Sequence, residues 1–114
     1  MAWSSASFEP ILATIVAVLF AVAGVVNLAG LGAVRRDFAR WGYPAWFRLL
    51  CGALELSSAA LLSGQQTRVL GLTLAGTIMI GALFTLLRNR EPFRHLAPAL
   101  VFSALIVVTA AVRG

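Results

Sequence analysis

The chain has 114 residues, enough for one compact unit, with 61% apolar residues, 11% charged residues and a net charge of +5. A water-soluble domain carries about 25% charged residues, and one this short could not hide so much apolar surface from water, so the composition argues against a soluble bundle and for lipid as the solvent. All nine basic residues are Arg and flank apolar runs, the position of membrane-edge anchors rather than of a nucleic-acid surface, and the single Cys51 excludes an internal disulfide or a multi-Cys metal site.

No charge occurs from Pro10 to Val34, a run longer than the ~20 residues a helix needs to cross the hydrocarbon core. No Lys or Arg precedes it, and it exceeds a signal core, so it reads as a retained span rather than a cleaved leader. Helix 1 is predicted at about residues 10–31, with Trp3 and Phe8 before it as interface aromatics. From Ala33 to Tyr43, the residues Val34, Phe38 and Trp41 share one side at helical spacing, while Arg35, Arg36, Asp37 and Arg40 fall mostly elsewhere. This is the pattern of a short helix lying in the headgroup plane; the alternative is a solvated loop with anchoring aromatics. Gly42-Tyr43-Pro44 turns the chain, and Pro44 suits the first turn of helix 2.

Helix 2 is predicted at about 44–63 and carries Arg48 and Glu55. Gly64 to Thr67 forms a polar turn. Helix 3 follows at about 68–87, a basic loop runs from Arg88 to Arg94, and helix 4 spans about 96–112. Short loops force antiparallel neighbours, so the fold class is all-α: four transmembrane helices in one up-down bundle. Ala13, Ala17 and Ala21 on helix 1, and Thr77 and Gly81 on helix 3, suggest close helix approach. The loops after helices 1 and 3 share one side, which holds seven Arg residues, against Arg68 and Arg113 opposite. The positive-inside rule puts both basic loops in the cytoplasm.

Chemistry is expected at Glu55. It lies about 16 Å along helix 2, near mid-membrane at 1.5 Å per residue. A carboxyl there costs roughly 2.5–3.5 kcal/mol on insertion scales, should face the bundle interior, and is a functional candidate by default. Arg48 lies two turns earlier near the same face, with Cys51 and Ser58 on that stripe. Asn27 should reach the depth of Arg48, and Thr77 that of Glu55; Tyr43, Thr85, Ser103 and His95 lie toward the basic side. The expected picture is a polar pocket with Glu55 as catalytic residue and Arg48, Asn27, Tyr43, Thr77 and Ser103 as ligand-binding groups. The alternative is a structural Glu55–Arg48 pair, or Glu55 hydrogen-bonded to Asn27 or a Thr. His95 reads as an interfacial side chain and Cys51 as a packing residue. No metal, phosphate-loop, haem or serine-hydrolase motif occurs, and no cofactor is implied.

Three stretches carry a resemblance: Ala23-Gly24-Val25-Val26-Asn27-Leu28, Trp41-Gly42-Tyr43-Pro44-Ala45-Trp46-Phe47-Arg48, and Gly52-Ala53-Leu54-Glu55-Leu56. Together they resemble the DoxX-like family of small four-helix membrane proteins, over nearly the whole chain. Family members often carry Lys where this chain has Asn27, and many have His where it has Leu86, so this chain keeps fewer ionisable groups than its relatives. The resemblance implies a functionally mixed group, with members associated with quinone-coupled thiosulfate oxidation or with oxidative-stress enzymes. The leading expectation is a pocket that binds or transforms a lipophilic small molecule, quinone- or isoprenoid-like. The other is a non-catalytic subunit or scaffold whose basic face docks a soluble redox or stress-response partner or anionic lipid. A bacterial cytoplasmic membrane is the expected location, and a homo-oligomer stays open.

Overall fold

The computed structural model describes residues 5–30 and 32–113, with the side chains of residues 8–30 and 32–112. Trp3, expected at the interface, lies outside the described residues. The elements are α1 (Ser5–Ala29), α2 (Ala33–Arg40), α3 (Ala45–Ser63), α4 (Arg68–Arg88) and α5 (Phe93–Arg113). Four of them, over Phe8–Ala29, Ala45–Ser63, Arg68–Arg88 and Phe93–Val112, are long and apolar enough to cross a membrane. The expected all-α, four-span architecture stands, and α2 is the short helix between the first two spans.

Three boundaries differ from expectation. The first long helix begins at Ser5 and continues through Pro10 to Ala29, and the last begins at Phe93 and continues through Pro98. Each Pro is the sixth residue of its helix, so it forgoes one intrahelical N–H bond, but only about one turn of helix lies before it to be disturbed. Pro92 supplies the start signal for α5: its carbonyl accepts from the N–H of His95 and of Leu96. Pro44 sits just outside α3, in extended geometry, rather than in its first turn.

Two helices end in the same six-residue device. After α2, the Gly42 N–H donates to Ala39 O (3.1 Å) and the Tyr43 N–H to Phe38 O (3.0 Å), with Gly42 at φ 86°. After α4, the Arg90 N–H donates to Leu87 O (3.1 Å) and the Glu91 N–H to Leu86 O (3.0 Å). Here Arg90 holds the left-handed position at φ 53°, where Gly is the usual residue. This second turn sets the direction in which Glu91 leaves the helix.

The four long helices close a ring: α1 packs on α3 and α5, and α4 packs on α3 and α5. On α1 the buried stripe is Ala13, Val16, Ala17 and Phe20, the i, i+3, i+4, i+7 pattern of one helix face. It meets Ala59 and Leu62 of α3, Leu72, Ala75 and Met79 of α4, and Ile106 of α5, and the Phe20 and Phe102 rings pack at 5.6 Å. The outer surface is apolar: Val18, Val22, Val25, Ile80, Phe84, Leu87 and Val107 are all more than half exposed. Such a surface aggregates in water and is at home in lipid. Several hydroxyls within the spans are satisfied inside their own helices, as in Thr14 to Pro10 O (2.7 Å), Thr73 to Val69 O (2.9 Å) and Thr109 to Leu105 O (2.7 Å). Of the expected small-residue packing, Ala13 and Ala17 are buried, but Thr77 and Gly81 face outward, and a Cβ on Gly81 would meet open space.

Candidate functional site

Helices α1 and α3 approach closely, and the sequence writes the approach twice. Gly24, Asn27 and Leu28 on α1 repeat the spacing of Gly52, Glu55 and Leu56 on α3. A Cβ on Gly24 would stand 2.9 Å from Gly52 O and 2.8 Å from Leu56 Cγ; one on Gly52 would stand 2.9 Å from Gly24 O and 2.8 Å from Leu28 Cγ. Each Gly thus receives the other helix's backbone and Leu. Side chains on a helix lean toward its N-terminus. On these antiparallel helices Asn27 and Glu55 therefore lean toward each other, and the Asn27 amide donates to Glu55 Oε1.

Glu55 is buried, at 6% exposure, and no cation stands within ion-pair distance of it among the described residues. Arg48 is equally buried but serves the backbone: its Nη1 donates to Asn27 O and to Leu28 O (3.2 Å). These carbonyls belong to the last turn of α1, which has no intrahelical donors for them and carries the negative end of the helix dipole. Gly30 makes room for the guanidinium. It sits at φ 61°, and a Cβ there would lie 2.6 Å from Arg48 Cζ. The structural Glu55–Arg48 pair weighed from the sequence is therefore absent among the described residues, and the hydrogen bond to Asn27 takes its place. One turn beyond Glu55, Ser58 is fully buried and its Oγ has no hydrogen-bond partner among the described residues. Cys51 is half-buried.

Tyr43, Thr77 and Ser103 make no hydrogen bond to Glu55 or Asn27. The Tyr43 hydroxyl is 2.7 Å from Thr85 Oγ1, which ties the α2–α3 turn to α4, and the Arg88 guanidinium lies over the Tyr43 ring at 5.9 Å. Thr77 is exposed and donates to Thr73 O (2.8 Å); Ser103 is half-buried and donates to Ala99 O (2.8 Å). Neither hydroxyl is bonded to Glu55.

Sequence reasoning missed a second polar centre, around Glu91 in the α4–α5 turn. Its carboxylate accepts from Trp41 Nε1 (2.8 Å), pairs with Arg40 (2.6 Å), and lies 3.4 Å from His95 Nδ1. Arg40 in turn pairs with Asp37 (2.8 Å). The Trp41 hydrogen bond, followed by the Arg40 contact, holds the Glu91 carboxyl below the usual carboxylate range, and Asp37 and then Glu91 hold the Arg40 guanidinium above its ordinary value. Glu91 thereby pins the end of α2 across the bundle. At the opposite end Arg68 donates to Leu62 O (3.1 Å) and pairs with Glu9 (3.0 Å), both side chains being nearly buried. The one sequence signal for either centre is a lone acid, Glu91 within the basic loop and Glu9 just before predicted helix 1.

Two cavities open at the end that carries Glu91. A groove of about 430 Å³ between α2, α4 and α5 has Met79, Leu86 and Phe102 among its apolar walls and Asp37, Arg94 and His95 among its polar ones. A smaller cavity of about 300 Å³ lies between α2 and the start of α3 and includes Arg48 and Tyr43. Glu55 and Asn27 line neither. Among the described residues no group of three His, Cys, Asp or Glu is placed to hold a metal ion.

The family model described as the DoxX-like family matches residues 11–109 of the 114. No curated protein and no solved structure matches the chain.

Proposed function

The chain belongs to the DoxX-like family and is an integral membrane protein, and from that premise we propose that it binds a lipophilic small molecule, quinone- or isoprenoid-like, through Glu55. One observation carries the reading: a carboxyl is buried between two membrane-crossing helices with an amide as its partner and no cation beside it. A carboxyl at this depth costs roughly 2.5–3.5 kcal/mol on insertion scales, and a purely structural role would be filled more cheaply by an apolar side chain. Asn27 orients the carboxyl, and the orphan hydroxyl of Ser58 offers a second polar contact one turn deeper. Arg48 acts indirectly, by fixing the end of the helix that carries Asn27. Glu55 engages the polar end of the lipophile or exchanges a proton with it, while the apolar tail lies among the helices. Thr77 and Ser103 have no part in this reading, since their hydroxyls serve their own backbones.

The two Arg-rich turns lie on the cytoplasmic side in this reading, by the positive-inside rule. The test is native mass spectrometry of protein taken from its own membrane in mild detergent. Wild type should retain a lipophilic adduct that Glu55→Gln loses; a wild type that carries none, or a variant that keeps it, overturns the reading. A second reading, a scaffold for a soluble protein, is favoured by the exposed Arg35, Arg36, Arg90 and Arg94 at one end. It requires a partner whose co-purification disappears in Arg35→Ala/Arg36→Ala.

A further inference from the structure

The cavity between α2 and the start of α3 has an unbalanced charge. It is lined by Arg35, Phe38, Ala39, Tyr43, Ala45 and Arg48. Arg35, Phe38 and Ala39 share one face of α2 at i, i+3, i+4, so that helix turns one cation and one ring toward the start of α3. Arg48 is more than nine-tenths buried. Its two Nη1 hydrogens serve the carbonyls of Asn27 and Leu28. The other three of its five N–H groups, on Nε and Nη2, have no protein acceptor among the described residues.

The sequence has no acid to spare for them. It holds four acidic residues. Glu9 pairs with Arg68, Asp37 and Glu91 both pair with Arg40, and Glu55 takes the amide of Asn27. Among the described residues Arg48 has only the carbonyl end of α1 to offset its charge, and a second cation in the same cavity lining raises the cost of holding it there. No carboxylate stands within ion-pair distance of Arg48 among the described residues, which leaves the place open to a counter-ion from outside the chain. Forked guanidinium donors match the oxygens of a phosphate, and the Phe38 and Tyr43 rings give the site apolar walls on which a non-polar portion rests.

We propose that this cavity binds a phosphate-bearing anion, held between Arg48 and Arg35. The site is separate from Glu55 and does not depend on its role. The anion is either the headgroup of an anionic phospholipid or a free phosphate compound, and one experiment separates the two. Protein in phosphatidylcholine nanodiscs is titrated with short-chain phosphatidylglycerol in one arm and with inorganic phosphate in the other. Thermal unfolding is followed by tryptophan fluorescence. A saturable rise in melting temperature in the lipid arm alone identifies a lipid site, and a rise with inorganic phosphate identifies a site for free anions.

Arg35→Gln should weaken the response about tenfold or more, the loss of one charge-assisted contact, and should leave the anion-free protein at least as stable, since it also removes the second cation. Arg36→Gln removes the same charge one residue away, outside the cavity lining, and should respond as wild type does. Arg48→Lys retains a charge but loses the fork, and should bind more weakly than wild type while still folding. The proposal is overturned if neither anion shifts the melting temperature, or if Arg36→Gln loses as much as Arg35→Gln, which would mark diffuse surface charge rather than a site.

Discussion

Adding one methyl group to Gly52 should open the α1–α3 crossing. The new Cβ would lie 2.9 Å from Gly24 O and 2.8 Å from Leu28 Cγ, against an ordinary contact of 3.4–4 Å. One of these neighbours is backbone and cannot swing aside, so the helices must separate by roughly half an ångström or more. Overpacking of this kind costs about 1–3 kcal/mol. The separation also stretches the bond from Asn27 to the Glu55 carboxyl, and a hydrogen bond of this kind is worth about 1 kcal/mol net. Ala is the better helix former by about 1 kcal/mol, which offsets part of this. The net expectation for Gly52→Ala is a loss of about 2 kcal/mol. Gly76→Ala is the control, because a Cβ there meets nothing within 4 Å and only the propensity gain remains. Unfolding of both variants in mixed micelles of rising dodecyl sulfate content, followed by circular dichroism, gives the comparison. Equal stability of Gly52→Ala and Gly76→Ala would refute the close crossing and, with it, the means by which Asn27 reaches Glu55.

Replacing Arg90, at φ 53°, with Gly should raise stability by about 1 kcal/mol, since Gly adopts the left-handed turn freely; a loss in the same denaturation assay would contradict the turn geometry. Glu9→Gln leaves the nearly buried Arg68 guanidinium without its carboxylate and should cost about 3 kcal/mol, whereas a neutral result would mean that the pair is solvated like a surface bridge. The Glu91 carboxyl titrates lower in the folded protein than in the unfolded chain, so its contribution is complete above the ordinary carboxylate range and is lost as pH falls through its lowered folded value. Protection of the α2 amides against hydrogen exchange, relative to the intrinsic rate at each pH, should therefore hold steady from neutral pH down to the ordinary carboxylate range and fall progressively below it. Glu91→Gln should abolish that acid dependence; if it persists, another group docks α2.

The spans were legible because membrane helices must be apolar along their whole length, which leaves a one-dimensional signal. The α3–α4 turn fell where the polar run Gly64 to Thr67 put it, and Glu55 faces inward because lipid permits little else. What failed depended on where a long side chain ends rather than where it begins. Arg48 and Glu55 share a face, yet Arg48 reaches the end of another helix, and its target is backbone, which has no residue signature. Thr77 sits at the expected place along its helix but on the outer side, because an evenly apolar span carries no moment that says which side is inside. Glu91 was overlooked because a loop acid reads as solvated until α2 folds down on it. The repeated Gly, polar, Leu spacing at 24, 27, 28 and 52, 55, 56 was visible throughout. Small residues set four apart drew attention instead of this match between two helices.

The central claim, that Glu55 serves a lipophilic ligand, is tested most directly by an affinity. Wild-type protein and Glu55→Gln in nanodiscs are titrated with a short-chain quinone and, separately, with a short-chain isoprenoid alcohol. Gln keeps the size of the side chain and accepts from Asn27, so both proteins should fold alike. The account predicts saturable binding of at least one ligand by wild type, and binding about tenfold weaker or worse in Glu55→Gln, in line with the loss of one hydrogen bond to a charged or acidic group. Equal affinities in the two proteins, or no saturable binding of either ligand by wild type, would contradict it.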